Sequence, residues 1–213
     1  SSDLRLTMNK EWMKLLKKQL EQYITYALKL DAHKIELYKE EKEYAEKHDL
    51  IPEGVQVIEK DEASRFSDAY VERCEKATMA LILGEIPSFL NGKITHLKEH
   101  IEEFVYVESK TFELLGIDAI SLELDDVFGT YTAMFGLTMR KKFQSDIKAD
   151  LDSVLTDGEG KYSVAFSERD GLWDMNFSLN YANGFKEDMT MLEAYNLIYN
   201  IAFKLVETVE ANE

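Results

Sequence analysis

The apolar period of the chain changes at Ile117, and that change limits the fold more than any other feature. Before it, apolar residues recur every three to four positions; after it they alternate. Ile120, Leu122 and Leu124 alternate with Ser121, Glu123 and Asp125. Tyr131, Ala133, Phe135, Leu137 and Met139 then follow the same rule. Alternation over five or more residues describes a strand with one buried and one solvated face. A helical stretch carrying Phe143, Ile147, Leu151 and Val154 comes next. Tyr162, Val164 and Phe166 alternate before the turn at Asp170-Gly171, and Trp173, Met175, Phe177 and Leu179 alternate after it, a strong hairpin signature. Thr190-Met191-Leu192-Glu193 is a capping box that opens a last helix through Leu197, Ile201, Leu205 and Val209. Residues 117–213 therefore read as a ββαββα unit, a four-stranded antiparallel sheet with both helices on its apolar face.

Residues 1–116 read as a helical region. Asn9 to about Asp49 contains no Gly or Pro, with Trp12, Leu16, Leu20, Tyr23, Ala27 and Leu30 on one face, as one long helix or two joined near Asp31. Val55–Ile58 suits a short strand. The spacing predicts a second helix from Asp61 through Phe66, Tyr70, Cys74, Ala77 and Leu81, stopped at Gly84. It predicts a third after Gly92 through Ile94, Leu97, Ile101, Phe104, Phe112 and Leu115, with Pro87 opening a turn between them. The expected class is α+β, with the boundary at Gly116 soft enough for one compact domain.

Charge narrows the function. The chain of 213 residues carries a formal net charge of −16, divided as −6 over residues 1–116 and −10 over the shorter remainder. Binding to a nucleic-acid backbone or an anionic membrane needs a positive field, so neither partner is expected. The longest clean apolar run, Met79 to Leu83, is far below the ~20 residues of a membrane span. Ser1-Ser2-Asp3-Leu4-Arg5 leads into a charged pattern with no apolar signal region, and a single cysteine makes no internal disulfide; the expected location is the cytoplasm. Cys74, inside an apolar stripe, reads as a buried small hydrophobe.

No motif fixes a chemistry. G-x-S-x-G, G-x-G-x-x-G and G-x-x-x-x-G-K-[ST] are all absent, so no catalytic residue and no cofactor is assigned. His96-Leu97-Lys98-Glu99-His100 is similar in spelling to the H-x-x-E-H of inverted zinc peptidases. The resemblance implies a metal-dependent hydrolase, but the further carboxylate ligand that such a site needs is not identifiable, and no metal ligand is assigned. His96, His100 and Glu103 would suffice for adventitious metal binding.

The remaining candidate is the outer face of the expected sheet. It would show Ser121, Glu123 and Asp125, then Thr130, Thr132 and Thr138, then Ser163 and Ser167, and finally Asp174, Asn176 and Ser178. The preferred expectation is a non-enzymatic, acidic interaction protein of inhibitor, immunity or adaptor type. It would bind a basic protein partner through Glu123, Asp125, Asp174 and Asn176. The alternatives are the hydrolase centred on His96–His100 and a structural homodimer joined through the Trp12–Leu30 helix.

Overall fold

In the computed structural model, which describes residues 14–213, a seven-stranded sheet runs through the molecule. Helix α1 (Leu15–Leu30) is followed by β1 (Lys34–Leu37), α2 (Lys39–Lys47) and β2 (Gln56–Glu59). Next come β3 (Tyr70–Glu75), β4 (Leu81–Glu85), the four-residue helix α3 (His96–Glu99), β5 (Glu103–Glu108) and a second four-residue helix α4 (Lys110–Glu113). The chain ends with β6 (Ile120–Leu124), β7 (Tyr131–Leu137), α5 (Gln144–Val154), β8 (Tyr162–Ser167), β9 (Leu172–Ser178) and α6 (Met191–Ala211). Strands β1 and β2 form a separate parallel pair; the other seven are antiparallel in the order β4-β3-β5-β6-β7-β9-β8.

The α+β class stands, and β6, β7, α5, β8, β9 and α6 are the six elements that the alternation and the capping box describe. Both halves of that box are made: Thr190 Oγ1 accepts from the Glu193 amide at 3.1 Å, and a Glu193 carboxylate oxygen accepts from the Thr190 amide at 2.9 Å. The four-strand count is corrected to seven, because β5, β3 and β4 extend the sheet beyond β6. Strand β5 pairs with β6 across Gly116, so one sheet spans both stretches of sequence.

The helices expected over Asp61–Gly84 and Gly92–Gly116 are also corrected. The first is a 3₁₀ turn at Glu62–Ser64 followed by the β3–β4 hairpin. Tyr70 and Cys74, four apart, share a strand face as readily as a helix face, so the spacing alone does not choose. The second is α3, β5 and α4. Val105 and Val107 face the core while Phe104 is buried on the opposite face, so Phe104 to Val107 is a continuous apolar run without the alternation that marks a strand. Pro87 does open a short 3₁₀ turn, Pro87–Asn91. The long N-terminal helix breaks at Asp31; beyond it Ile35 and Leu37 point inward and Lys34 and Glu36 outward along β1. Trp12 and the start of that expected helix lie outside the described residues. Leu16, Leu20 and Ile24 of α1 are buried in the protein's own core. Among the described residues no helix is long and apolar enough to cross a membrane.

The core lies between the apolar sheet face and the helices. Val71, Val105, Ile120, Leu122, Ala133, Phe135, Trp173, Met175 and Phe177 supply the sheet side, and α6 the principal helical side. Tyr195 of α6 is fully buried, and its hydroxyl donates to the Val105 carbonyl at 2.8 Å, with the Ile120 carbonyl within reach at 3.2 Å. One side chain thus ties α6 to the β5–β6 seam. Tyr195→Phe keeps the ring and removes that tie, and about 1–2 kcal/mol of stability should be lost in urea denaturation. An unchanged midpoint would mean that the hydroxyl contributes nothing net. At the far side of the sheet, β4 is an edge strand whose Leu81, Ile82 and Leu83 are exposed.

Candidate functional site

Antiparallel pairing sorts the outward side chains of the sheet into cross-strand rows. Glu72, Tyr106, Ser121, Met134, Asn176 and Ser163 form one row from β3 to β8. Cys74, Phe104, Glu123, Thr132 and Ser178 form the next. Tyr70 lies opposite Glu108, and Gly136 opposite Asp174. Glu72, Glu108, Glu123 and Asp174 are the charged residues at these positions, and none of the outward strand residues is basic.

Of the four residues expected to bind a partner, Glu123, Asp174 and Asn176 lie on this face. Glu123 and Asp174 are two strands and four residues apart, roughly 16 Å from strand geometry, so they cannot share one cation. Asp125 serves the turn instead: its carboxylate accepts the amides of Val127 and Phe128, both at 2.8 Å. Thr130 and Ser178, expected on the open face, are buried. Burial pushes the Glu123 carboxyl above its ordinary range, opposed by Lys76 and reinforced by Asp125 and Asp126. Cys74, on the same outward row, is buried, and its thiol donates to a Glu72 carboxylate oxygen at 3.6 Å.

The densest acidic part of the face falls on β3 and β5. Tyr70 donates its phenol to Glu72, and Tyr106 donates to Glu108 at 2.7 Å. Each ring therefore stands beside a carboxylate. The Tyr70 phenol is held above its usual range chiefly by the Glu72 bond, and that of Tyr106 by burial and then by Glu108.

The histidine motif folds differently from its spelling. His96 opens the single turn of α3 and His100 caps its end, and their rings stack with centroids 4.4 Å apart. Glu103 at the start of β5 is gripped by Arg73 through two bonds, at 2.9 and 2.6 Å, and meets His96 Nε2 at 3.2 Å. Burial raises the Glu103 carboxyl, but the Arg73 and His96 bonds outweigh it and hold the group below its ordinary value. His100, Glu102 and Glu103 are near enough to share an ion among the described residues. A guanidinium already forked onto the central carboxylate opposes a second cation there. Glu99 takes no part in this cluster.

A third arrangement lies on the helical side. Arg65 is buried, with its guanidinium between the rings of Tyr38 and Tyr199, 4.6 and 4.2 Å from their centroids. It donates to Asn196 Oδ1 at 2.9 Å and to a Glu40 carboxylate oxygen at 2.5 Å. Glu41, 5% exposed, lines a neighbouring cleft of about 580 Å³ between α1, α2 and the segments around Arg65 and Thr111. Burial raises its carboxyl to about 7, against the lowering influence of Arg65 and Lys60. The Arg65 cluster carries no sequence signal, because its members come from three distant segments, positions 38–41, 65 and 196–199, with no shared motif. No protein-family model, curated protein or solved structure matches the chain, so the functional reading rests on these three arrangements alone.

Proposed function

We propose that the protein is a non-enzymatic interaction protein of inhibitor, immunity or adaptor type, whose outer sheet face receives a basic segment of a partner protein. The observation that carries this reading is the set of outward carboxylates, Glu72, Glu108, Glu123 and Asp174, on strands whose outward positions hold no lysine or arginine. The pairing of Glu72 and Glu108 with Tyr70 and Tyr106 adds a second fit, since arginine and lysine are attracted by aromatic faces as well as by carboxylates. The net charge of −16 would speed the encounter and make it salt-sensitive. In this reading the protein works in the cytoplasm, where an unpaired cysteine is ordinary.

Affinity capture from source-cell lysate at low and at high salt tests it, with a Glu72→Lys/Glu108→Lys variant alongside. A basic protein recovered near one-to-one by the native chain should be lost at high salt and lost to the variant, whose affinity should fall at least ~10-fold. Equal recovery by both chains at both salts would remove the outer face from consideration.

A further inference from the structure

Two Asn-Gly pairs occur in the chain, Asn91-Gly92 and Asn183-Gly184, and both lie on the surface. In such a pair the main chain can attack its own side chain. The glycine nitrogen reaches the asparagine Cγ by closing a five-membered ring, and glycine has no Cβ to obstruct the approach. Ring closure needs two freedoms: the glycine amide must be released from any acceptor, and the backbone around it must be able to turn. The structure gives both to one pair and withholds them from the other.

Asn91-Gly92 is held by its neighbours. The Gly92 amide donates to the Phe89 carbonyl at 3.1 Å, and the Gly92 carbonyl accepts from the Met191 amide at 2.8 Å. Two residues on, the Ile94 amide donates to the Met189 carbonyl at 2.9 Å. A Cβ at Gly92 would stand only 3.3 Å from the Met191 side chain and from the Phe89 carbonyl, so the backbone there is closely packed. Asn183-Gly184 forms the centre of a turn closed by the Phe185 amide on the Ala182 carbonyl at 3.2 Å. Among the described residues the Gly184 amide has no hydrogen-bonded acceptor. Gly184 sits at φ 95°, as glycine does in the second half of such a turn, and the atom nearest to a Cβ built on it is 3.9 Å away.

We infer that Asn183 is a site of spontaneous modification, at which the protein converts its own asparagine to aspartate and isoaspartate. The Gly184 nitrogen gives up its proton to solvent and attacks Asn183 Cγ. The new N–C bond closes a succinimide as the Cγ–Nδ2 bond breaks, and the side-chain nitrogen takes up a proton and leaves as ammonia. Water then opens the ring. Cleavage at Cγ restores the ordinary main chain with an aspartate, and cleavage at the backbone carbonyl carbon routes the main chain through the side chain as isoaspartate. Nothing is oxidised or reduced, and water is the only co-reactant. Either product adds one negative charge. The isoaspartyl form also lengthens the main chain by one carbon between residues already committed elsewhere: Ala182 pairs with Leu155, and the Phe185 ring lies 5.9 Å from that of Tyr131. This chemistry is independent of the outer-face reading.

Peptide mapping of the full chain through several weeks at pH 8 tests the inference. Tryptic peptides 170–186 and 77–93 carry one Asn-Gly pair each, and fragmentation separates Asn183 from Asn176 and Asn180 in the first. In the native protein Asn183 should convert at least about tenfold faster than Asn91, whose reaction has to wait for a local opening. In a parallel sample unfolded in guanidinium chloride the two should convert at similar rates, because the packing that separates them is gone. Absence of product at Asn183 in the native protein would overturn the inference. So would conversion of native Asn91 as fast as Asn183, or the same disparity in the unfolded chain.

Discussion

Replacing Glu41 and Glu210 by glutamine should make the protein harder to unfold at pH 8 and leave it nearly unchanged at pH 4. Both carboxyls are raised from 4.5 to about 7, each chiefly by burial. Glu210 accepts the Leu16 amide at 2.9 Å through one oxygen, while the other is buried without a partner. Below about pH 4.5 both groups are protonated whether the chain is folded or not. Between about pH 4.5 and 7 the unfolded chain releases these protons and the folded chain keeps them. Stability from these two groups is therefore fully present below the unfolded value and is lost as the pH rises through about 7. The upper figure is roughly 3 kcal/mol for each carboxyl. Glutamine removes the charge at high pH and still offers Leu16 an acceptor. Glu103, whose carboxyl is lowered, acts in the opposite sense, so the difference between native and variant isolates the effect. Urea denaturation of both at pH 4 and pH 8 measures it; an equal stability difference at the two pH values would refute the linkage.

Arg65→Ala should cost about 3–5 kcal/mol in the same assay. The loss has three sources: the contacts with the Tyr38 and Tyr199 rings, the acceptor of Asn196, and the carboxylate of Glu40, all left in a largely buried site. Arg65→Lys should recover little of it. A lysine ammonium lacks the planar fork that bonds two acceptors while stacking between two rings. A loss below about 1 kcal/mol in Arg65→Ala would show that the cluster relaxes around the gap.

The fold was legible wherever one face of an element was buried and the other wet. That condition holds for β6, β7 and β9, whose burial alternates over most of their length, and for the capped helix α6. It fails for β5, where Phe104 is buried on the outer face and interrupts the alternation, and for the β3–β4 hairpin, whose apolar spacing fits two periods at once. The site followed the same division. Glu123, Asp174 and Asn176 were placed on the outer face by alternation alone. Glu72 and Glu108 escape because the apolar spacing of their segments also fits a helix, and Asp125, which alternation offers as a binding group, gives its carboxylate to the turn. The Arg65 cluster joins positions 38–41, 65 and 196–199, and only tertiary packing brings them together.

The exposed edge of β4 affects how the protein behaves in concentrated solution. Ala77 to Gly84 contains no charged residue, and Leu81, Ile82 and Leu83 present apolar surface beside unpaired backbone groups. Repulsion by the net negative charge then helps keep one molecule from another, beside Glu85 at the strand end and the register shift against β3 at Arg73 and Cys74. Acid removes that repulsion in the same range where Glu41 and Glu210 are protonated and best accommodated. The range in which these two carboxyls contribute most to stability therefore overlaps the range of lowest net charge, near the sequence pI of about 4.7.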